Sequence, residues 1–254
     1  MRRVHRKDSP CPSTWAASIT KALPDHAAFQ RCAAAFERLQ INSTARRQGF
    51  ATHSPHVLKK GKSGKPKFPD VWGRHKEIIA AMSCRKCVYC EGKINAPRAA
   101  DIEHYQPKAL FPLLAYEWNN FFLGCKGCNG AKHDKWPKRG GYIRPDKGDP
   151  SREFLFIEDG TVKAKKKNSA AGRMLEDFDL YREWLTDERK QNIENMLLSL
   201  KQAIELHRAG HLKPAKRLAR VLLKIIEKPD SVYSVALKQC FLRAWESACP
   251  GVQL

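Results

Sequence analysis

The sequence predicts an α+β protein, mainly α, in which a small cysteine-rich module lies between two helical segments. Three observations predict this class. Apolar residues recur at helical spacing in 13–49 and again from Ser169 onward, a short stretch after residue 151 alternates like a β-hairpin, and residues 84–135 are dense in Cys, His, Asn and Gly with little periodicity. We therefore divide the chain into three segments: 1–78, 79–150 and 151–254.

The first segment is expected to be helical and basic. The apolar spacing in 13–49 predicts one or two helices. Residues 59–70, Lys-Lys-Gly-Lys-Ser-Gly-Lys-Pro-Lys-Phe-Pro-Asp, predict a flexible basic loop that buries nothing, because Gly and Pro interrupt regular structure. A short apolar helix over 71–83 then leads the chain to the first cysteines of the module.

The third segment is expected to be a hairpin followed by helices. Asp159-Gly160 is typical of a tight turn between two strands. Apolar residues in 180–206 repeat on one face of a long helix, and prolines set off two further helices over 215–228 and 231–248. This apolar stripe is more typical of a helical-bundle core than of a cofactor-binding motif.

The charge of the chain indicates a polyanionic partner. Lys and Arg number 47 and Asp and Glu number 26, which gives a formal net charge of +21 and a pI near 9.8. Nucleic acid is the expected partner, because each cation that neutralises a phosphate releases condensed counterions. A solvated basic surface without a partner is the alternative.

Membrane association is not expected. The sequence has no apolar run of about 18 residues, and its N-terminus, Met-Arg-Arg-Val-His-Arg, leads into polar sequence without an apolar signal region. No lipidation signal accompanies the positive charge. The sequence therefore predicts a cytoplasmic protein.

Two Cys-x-x-Cys pairs, Cys87 with Cys90 and Cys125 with Cys128, predict a structural zinc site. Four thiolates suit a tetrahedral ion, and a two-residue gap lets both sulfurs of one pair reach the same ion. In a reducing compartment such pairs are metal ligands more often than disulfides. Cys84 offers a third spacing with Cys87, but Tyr89 and Glu91 favour Cys87 with Cys90 as the folded knuckle, which leaves Cys84 as a spare thiol.

The residues around the second cysteine pair suit hydrolysis of a phosphodiester. Such a reaction needs a general base, a Lewis acid on the phosphate and groups that hold both in place. His104 is suited to be the base, since a neutral imidazole accepts a proton near neutral pH. Asp101 is expected on the same strand face as Glu103, where it would assist a metal or orient His104. Lys132 and His133 are expected to open the following helix, whose amino end would favour a phosphate.

These motifs resemble the His-Asn-His (HNH) endonuclease motif with its ββα-metal fold. The resemblance rests on Glu103-His104 before the second knuckle, Asn120 five residues ahead of it and Asn129 just after it. It implies that Glu103 and Asn129 hold a catalytic Mg²⁺ or Mn²⁺ and that the side-chain amide of Asn120 ties the His-bearing loop to the module. Glu103 departs from the commoner Asp and Asn129 from the commoner His, so His133 is an alternative ligand.

A narrower resemblance is to the PtuB group of HNH proteins, from Septu-type anti-phage systems and, in some cases, retrons. It rests on Cys-Val-Tyr-Cys-Glu, Ile-Glu-His-Tyr-Gln-Pro-Lys, Tyr-Glu-Trp-Asn-Asn and Cys-Lys-Gly-Cys-Asn-Gly-Ala-Lys. The resemblance implies a PtuA-like ABC-type ATPase as partner, with the C-terminal helices as candidates for docking on it. For retron-attached members it also implies a reverse transcriptase and its msDNA.

The sequence thus predicts a metal-dependent HNH endonuclease that acts as the effector of an anti-phage complex. Two alternatives stay open. The chain could be a zinc-stapled nucleic-acid-binding module without catalysis, or an adaptor whose charge serves an acidic protein. The sequence does not separate DNA from RNA as the substrate, because base-reading residues are not recognisable without a complex.

Overall fold

The computed structural model describes residues 10–23, 25–39, 49–52, 54–60, 66–94 and 100–254. The α+β class, mainly α, is confirmed: helices dominate, and the strands of the described residues form three separate two-stranded antiparallel ladders. A single cluster of buried apolar side chains runs through all three segments of the chain. The segment boundaries at 78 and 150 stay a prediction.

Two helices open the described part of the chain, α1 (Trp15–Ala22) and α2 (His26–Leu39). The Asp25 carboxylate accepts a hydrogen bond from the Ala28 amide at 2.7 Å, which satisfies a free amide at the start of α2. Residues 40–48 of the predicted helical region lie outside the described residues.

The basic loop predicted over 59–70 is partly wrong. Strands β1 (Lys59–Lys60) and β2 (Pro66–Lys67) form a short antiparallel ladder, and residues 61–65 lie outside the described part. Phe68 is buried, with its ring centroid 6.3 Å from that of Phe29 and 5.8 Å from that of Phe50. The aromatic cluster gains enough from this ring to bury it despite its lysine-rich neighbours.

The helix predicted over 71–83 is found in two parts, a 3₁₀ turn at Trp72–His75 and helix α3 (Lys76–Ala81). Its buried face consists of Ile79 and Ala80, and the helix packs against the strand Phe121–Cys125. This packing fixes the point at which the chain enters the first cysteine pair.

The centre of the chain consists of strand β3 (Ala100–His104), strand β4 (Phe121–Cys125) and helix α4 (Lys126–Lys132). The two strands are antiparallel, with Asp101 opposite Gly124 and His104 opposite Phe121. Helix α4 packs against both strands. We call β3, β4 and α4 together the ββα module.

A hairpin follows, as predicted, with strands β5 (Phe154–Phe156) and β6 (Val162–Ala164). Its turn contains Gly160 at a φ of +84°. A side chain there would also strike the chain of the neighbouring helix, since a Cβ would lie 2.2 Å from the Thr186 carbonyl oxygen. Glycine is therefore required at this turn by both backbone angle and close packing.

The last helices are α5 (Ala170–Asp177), α6 (Glu183–Arg208), α7 (Leu212–Ile226) and α8 (Ser234–Ala248). Helix α6 packs against α7 and α8, and its predicted stripe is buried at Leu185, Ile193, Met196 and Leu200.

Helix α7 begins before Pro214, although the prolines were expected to precede the helices. Proline fits there because the first turn of a helix has no partner for its amide. Among the described residues, none of the helices combines the length and apolar character that crossing a bilayer requires.

Candidate active site and metal centre

The four predicted zinc ligands meet in space. The sulfur atoms of Cys87, Cys90, Cys125 and Cys128 all lie within 4.8 Å of one another, and those of Cys90 and Cys125 are 3.9 Å apart. Four sulfurs at about 2.3 Å from one zinc ion would be separated by roughly 3.8 Å, so this cysteine cluster fits tetrahedral zinc. Cys84 is exposed and lies outside the cysteine cluster.

The second knuckle is part of the start of helix α4. Cys125 is the N-cap residue, and its sulfur accepts a hydrogen bond from the Cys128 amide at 3.4 Å. The helix therefore begins at Lys126, and the expectation that Lys132 and His133 open it is wrong. Both residues lie at its carboxyl end, because the Cys125 sulfur caps the helix at the knuckle and satisfies one of its free amides, that of Cys128.

The first knuckle is anchored by Glu91 to the start of α8. Glu91 is buried, and its carboxylate accepts hydrogen bonds from the Ser234 hydroxyl at 2.9 Å and from the Val235 amide at 3.2 Å. A carboxylate at a helix amino terminus is favoured by the free amides and the helix dipole. The C-terminal helices therefore brace the cysteine cluster.

Three of the predicted site residues share one face of the ββα module. Asp101 and Glu103 lie two residues apart on β3, and so share a face of the strand. The side-chain amide nitrogen of Asn129 donates to the Asp101 carboxylate at 3.0 Å. Gly124 lies between them on β4: a Cβ there would be 3.4 Å from the Glu103 Cβ and 3.6 Å from the Asn129 Cβ. We call Asp101, Glu103 and Asn129 the oxygen-donor face. Two carboxylates and an amide oxygen are suitable ligands for Mg²⁺.

Lys132 already occupies part of this face. Its ammonium group forms an ion pair with the Glu103 carboxylate and donates to the His104 carbonyl oxygen at 2.9 Å. Only 1% of Lys132 and 3% of Glu103 is exposed. Burial raises the pKa of Glu103, and Lys132 opposes that rise by favouring the charged carboxylate. A divalent ion at Glu103 would therefore share this carboxylate with a lysine.

The His104 ring is buried among aromatic side chains at the end of β3. It packs edge-on against Trp72 at 4.7 Å and Phe121 at 4.8 Å between ring centroids, and Nε2 lies 3.0 Å from the Ala115 carbonyl oxygen. That acceptor requires the proton on Nε2, which leaves Nδ1 as the basic nitrogen. Burial is the larger cause and the charge of Lys108 the next, and together they hold the pKa of His104 well below its usual value, so the ring is neutral.

Asn120 holds the loop that follows His104. Its side-chain oxygen accepts from the Gln106 amide at 2.8 Å, and its amide nitrogen donates to the carbonyl oxygens of Gln106 and Leu114, each at 3.0 Å. The Tyr105 amide also donates to the Asn120 carbonyl oxygen at 2.9 Å. This is the tethering geometry expected of the residue; its effect on catalysis stays a prediction.

His133 lies apart from the oxygen-donor face. It is exposed at the carboxyl end of α4, and its ring nitrogen Nδ1 lies 3.4 Å from the Asp134 carboxylate. Within the described ranges, the cysteine cluster is the only group of three or more His, Cys, Asp or Glu side chains arranged to hold one ion. A role for His133 as a ligand stays a prediction.

Sequence reasoning missed two cations beside the site. Lys108 lies over the Trp72 ring at 5.2 Å and acts electrostatically on both Glu103 and His104. Arg182 points its guanidinium at the sulfurs of Cys125 and Cys128, at 3.7 and 3.4 Å. The only sequence signal for Lys108 is its position four residues after His104, and nothing local marks Arg182 as a neighbour of the cysteine cluster.

Two curated proteins resemble this chain, and both are called Septu protein PtuB. The protein from Bacillus thuringiensis is 37% identical over 90 residues, which cover 34% of this chain and 35% of the relative. The protein from Bacillus mycoides (strain KBAB4) is 26% identical over 160 residues, which cover 51% and 54%. The chain thus spans about a third and about half of these relatives.

No family model matches the chain, and no solved structure matches it. The assignment therefore depends on the two alignments, together with the motifs that predicted the same group. These findings identify the chain as a homologue of the PtuB group of Septu proteins.

Proposed function

We propose that the chain is a metal-dependent HNH endonuclease that hydrolyses phosphodiester bonds in nucleic acid. One observation carries the proposal: the β3–β4–α4 arrangement brings Asp101, Glu103 and Asn129 onto one face beside the cysteine cluster, with His104 next to Glu103 on the same strand. The net charge of +21 supports a nucleic-acid substrate.

In this proposal zinc is structural and a second ion is catalytic. The cysteine cluster would hold Zn²⁺, and the oxygen-donor face, through Glu103 and Asn129 with Asp101 beside them, would hold Mg²⁺ or Mn²⁺. When bound, the divalent ion supplies positive charge for the scissile phosphate and the leaving oxygen. The protein's own contribution is to hold hard oxygen donors in place around Gly124, where no side chain intervenes.

His104 would act as the general base through Nδ1. The Nε2 proton is committed to Ala115, and the low pKa of His104 keeps the ring neutral. An attacking water would lose a proton to Nδ1 while its oxygen bonds to phosphorus and the bond to the leaving oxygen breaks. Lys108, which acts on both His104 and Glu103, is placed to attract the phosphate.

The names of the two relatives support a role in a Septu-type anti-phage system. The proposed partner is a PtuA-like ABC-type ATPase, and for a retron-attached version the reverse transcriptase and its msDNA. Large apolar side chains exposed on the C-terminal helices, Trp184 at 54% and Leu198 at 69%, support docking of a protein there. Co-expression with a PtuA-like ATPase, followed by co-purification, tests this part.

The cleavage experiment uses purified full-length protein with Mg²⁺ or Mn²⁺, with and without the ATPase. Duplex DNA, single-stranded DNA and tRNA are the substrates. Cleavage is expected to disappear in His104→Ala and in His104→Gln, whose amide retains a donor for Ala115. The control is His211→Ala, an exposed histidine remote in sequence. Equal zinc content in all proteins excludes unfolding as the cause, and undiminished cleavage by both His104 variants refutes the proposal.

A non-catalytic zinc-stapled nucleic-acid-binding module is the second candidate. It is favoured by the buried His104 ring and by the Lys132 ammonium that already neutralises Glu103. Nucleic-acid binding with a steep salt dependence, but no cleavage under any of these conditions, would select it.

A further inference from the structure

Helix α7 presents five cations on one side. Lys213, Lys216, Arg217, Arg220 and Lys224 line one shallow groove on its surface together with Val221. Four of the five cations are exposed and Lys216 is half-buried. At about 100° per residue, these positions fall within an arc of roughly 100° around the helix axis. We call them the α7 cation stripe.

The α7 cation stripe is separate from the surface by which the helix packs. Ala215, Ala219 and Ile226 are the buried residues of α7, and the helix packs on α6 and α8. At 100° per residue, the centre of this buried face lies more than about 100° around the helix axis from the centre of the α7 cation stripe. The cations are therefore displayed on a helix whose orientation is already fixed by the core.

Among the residues that the structure describes, no acidic side chain balances the stripe. Helix α7 contains no Asp or Glu, and the described residues provide no ion pair or side-chain hydrogen bond to any of the five cations. The contrast with α6 is clear, since Lys190 and Lys201 there each face a glutamate one turn away. Five neighbouring charges without counter-ions repel one another, so an external polyanion would bind favourably.

The spacing of the charges suits a phosphate backbone. From Lys213 to Lys224 the helix rises about 16 Å, and one strand of duplex DNA carries roughly five phosphates over that length. The number of cations and the number of phosphates therefore match. Insertion into a lipid surface is less suitable, because Ala215, Ala219 and Ile226 are buried by the packing of α7, which leaves Leu212, Val221 and Ile225 as its exposed large apolar side chains.

We propose that the α7 cation stripe is a sequence-independent binding surface for the phosphate backbone of nucleic acid, outside the ββα module. It would retain the nucleic acid on the protein whether or not the module cuts it. Binding at α7 is therefore independent of the proposed cleavage. An anisotropy measurement tests the binding, and the cleavage assay tests the nuclease activity.

The test is fluorescence anisotropy of the full-length protein with labelled 30-base-pair duplexes of DNA and RNA, without added divalent ions. The variant carries Lys213→Gln, Arg217→Gln, Arg220→Gln and Lys224→Gln. Its affinity is expected to fall about tenfold or more in 0.1 M salt, and the slope of log K against log salt is expected to fall by about 3.6 for DNA, or about 0.9 for each cation removed. Comparing the two duplexes shows whether both nucleic acids use the stripe.

The matched control removes the same charge from another surface. Lys163, Lys165, Lys166 and Lys167 are exposed on and after β6, and a variant with all four changed to Gln has the same net charge as the α7 variant. It is expected to bind with nearly wild-type affinity. Equal losses in the two variants would show that total charge, and not the α7 cation stripe, governs binding, and would overturn the proposal.

Two further results would also overturn it. One is unchanged affinity and unchanged salt slope in the α7 variant. The other is a variant that binds nucleic acid normally but no longer floats with vesicles containing phosphatidylserine, since this would assign the stripe to anionic membranes. Glutamine is a good helix former, so α7 should persist, and thermal unfolding of each variant checks this.

Discussion

The ammonium group of Lys132, at the end of α4, forms a buried ion pair with the carboxylate of Glu103, on the strand that ends with His104. The same ammonium donates to the His104 carbonyl oxygen. This lysine therefore joins the helix of the ββα module to Glu103 and His104, two of the residues proposed to carry the chemistry.

Replacing Lys132 with Met is expected to destabilise the protein by about 3–5 kcal/mol, because it removes the cation that pairs with the buried Glu103 charge and leaves the Tyr89 hydroxyl, at 3.5 Å, as its hydrogen-bond donor. Adding Glu103→Gln should recover part of that loss, since the neutral amide needs no cation. Urea denaturation of the two single variants and the double variant measures the coupling. Lys190→Met is the control, because Lys190 and its partner Glu194 are about half exposed. Additive losses would contradict the proposed pairing.

Asn120→Ala is expected to cost about 3 kcal/mol of unfolding free energy, because three hydrogen bonds disappear and partly buried backbone groups of Gln106 and Leu114 lose their partner. Chemical denaturation provides the measurement. The neighbouring side chain of Asn119 is exposed, so Asn119→Ala should change the stability far less. Similar losses in both variants would show that the Asn120 amide does not tether the loop.

Cys125→Ser is expected to abolish stoichiometric zinc and unfold the ββα module. Structural zinc contributes about 10–16 kcal/mol in small zinc-binding peptides, which equals or exceeds the total stability of a typical domain, about 5–15 kcal/mol. Elemental analysis and thermal unfolding, with and without a zinc chelator, measure the two effects. Cys84→Ser should keep its zinc, because Cys84 is exposed and outside the cysteine cluster. Loss of zinc in Cys84→Ser would overturn the ligand assignment.

Arg182→Ala is expected to weaken zinc binding by about 10- to 100-fold, the usual effect of removing a group that contacts metal ligands. Its guanidinium contacts two cluster sulfurs and would offset the negative charge of a four-thiolate site. Competition with a chromophoric chelator gives the affinity.

Arg243→Ala is a close control for Arg182→Ala. Arg243 also places its guanidinium on a cysteine sulfur, that of Cys240 at 3.3 Å, but Cys240 is outside the cysteine cluster. Zinc affinity should be unchanged in that variant. If both arginine variants weaken zinc equally, the effect comes from general destabilisation and not from the contact of Arg182 with the sulfurs.

The zinc ligands were predictable from the sequence because a Cys-x-x-Cys knuckle is a local structure. The shared face of Asp101 and Glu103 was predictable for a similar reason, since strand residues alternate. The contact of Arg182 with the cysteine cluster was not, because it joins residues 57 and 54 positions apart through the packing of the C-terminal helices. Burial of Phe68 was missed because its lysine-rich neighbours dominate the local pattern while distant aromatic rings decide its position.

Gly124 is the residue that keeps the oxygen-donor face open. The φ angle of Gly124 is not positive, so its backbone conformation is open to residues with a side chain. A single Cβ there would make ordinary contacts with Glu103 and Asn129. Gly124→Ala should therefore fold and keep its zinc. Compared with Gly124→Ala, Gly124→Val adds two methyl groups between the two proposed ligands. The Val variant should retain zinc, but its rate of Mg²⁺-dependent cleavage should fall by about 100-fold or more, on the order of removing a catalytic group.

Zinc analysis and cleavage rates across an Mg²⁺ titration separate the possible causes of that loss. If the Val side chain blocks the ion site, the cleavage rate of Gly124→Val should stay low at every Mg²⁺ concentration or recover only at high Mg²⁺. Its zinc content should equal that of Gly124→Ala. A Val variant that cleaves as fast as the Ala variant would place the catalytic ion elsewhere, because two methyl groups at this position leave no room for an ion between Glu103 and Asn129.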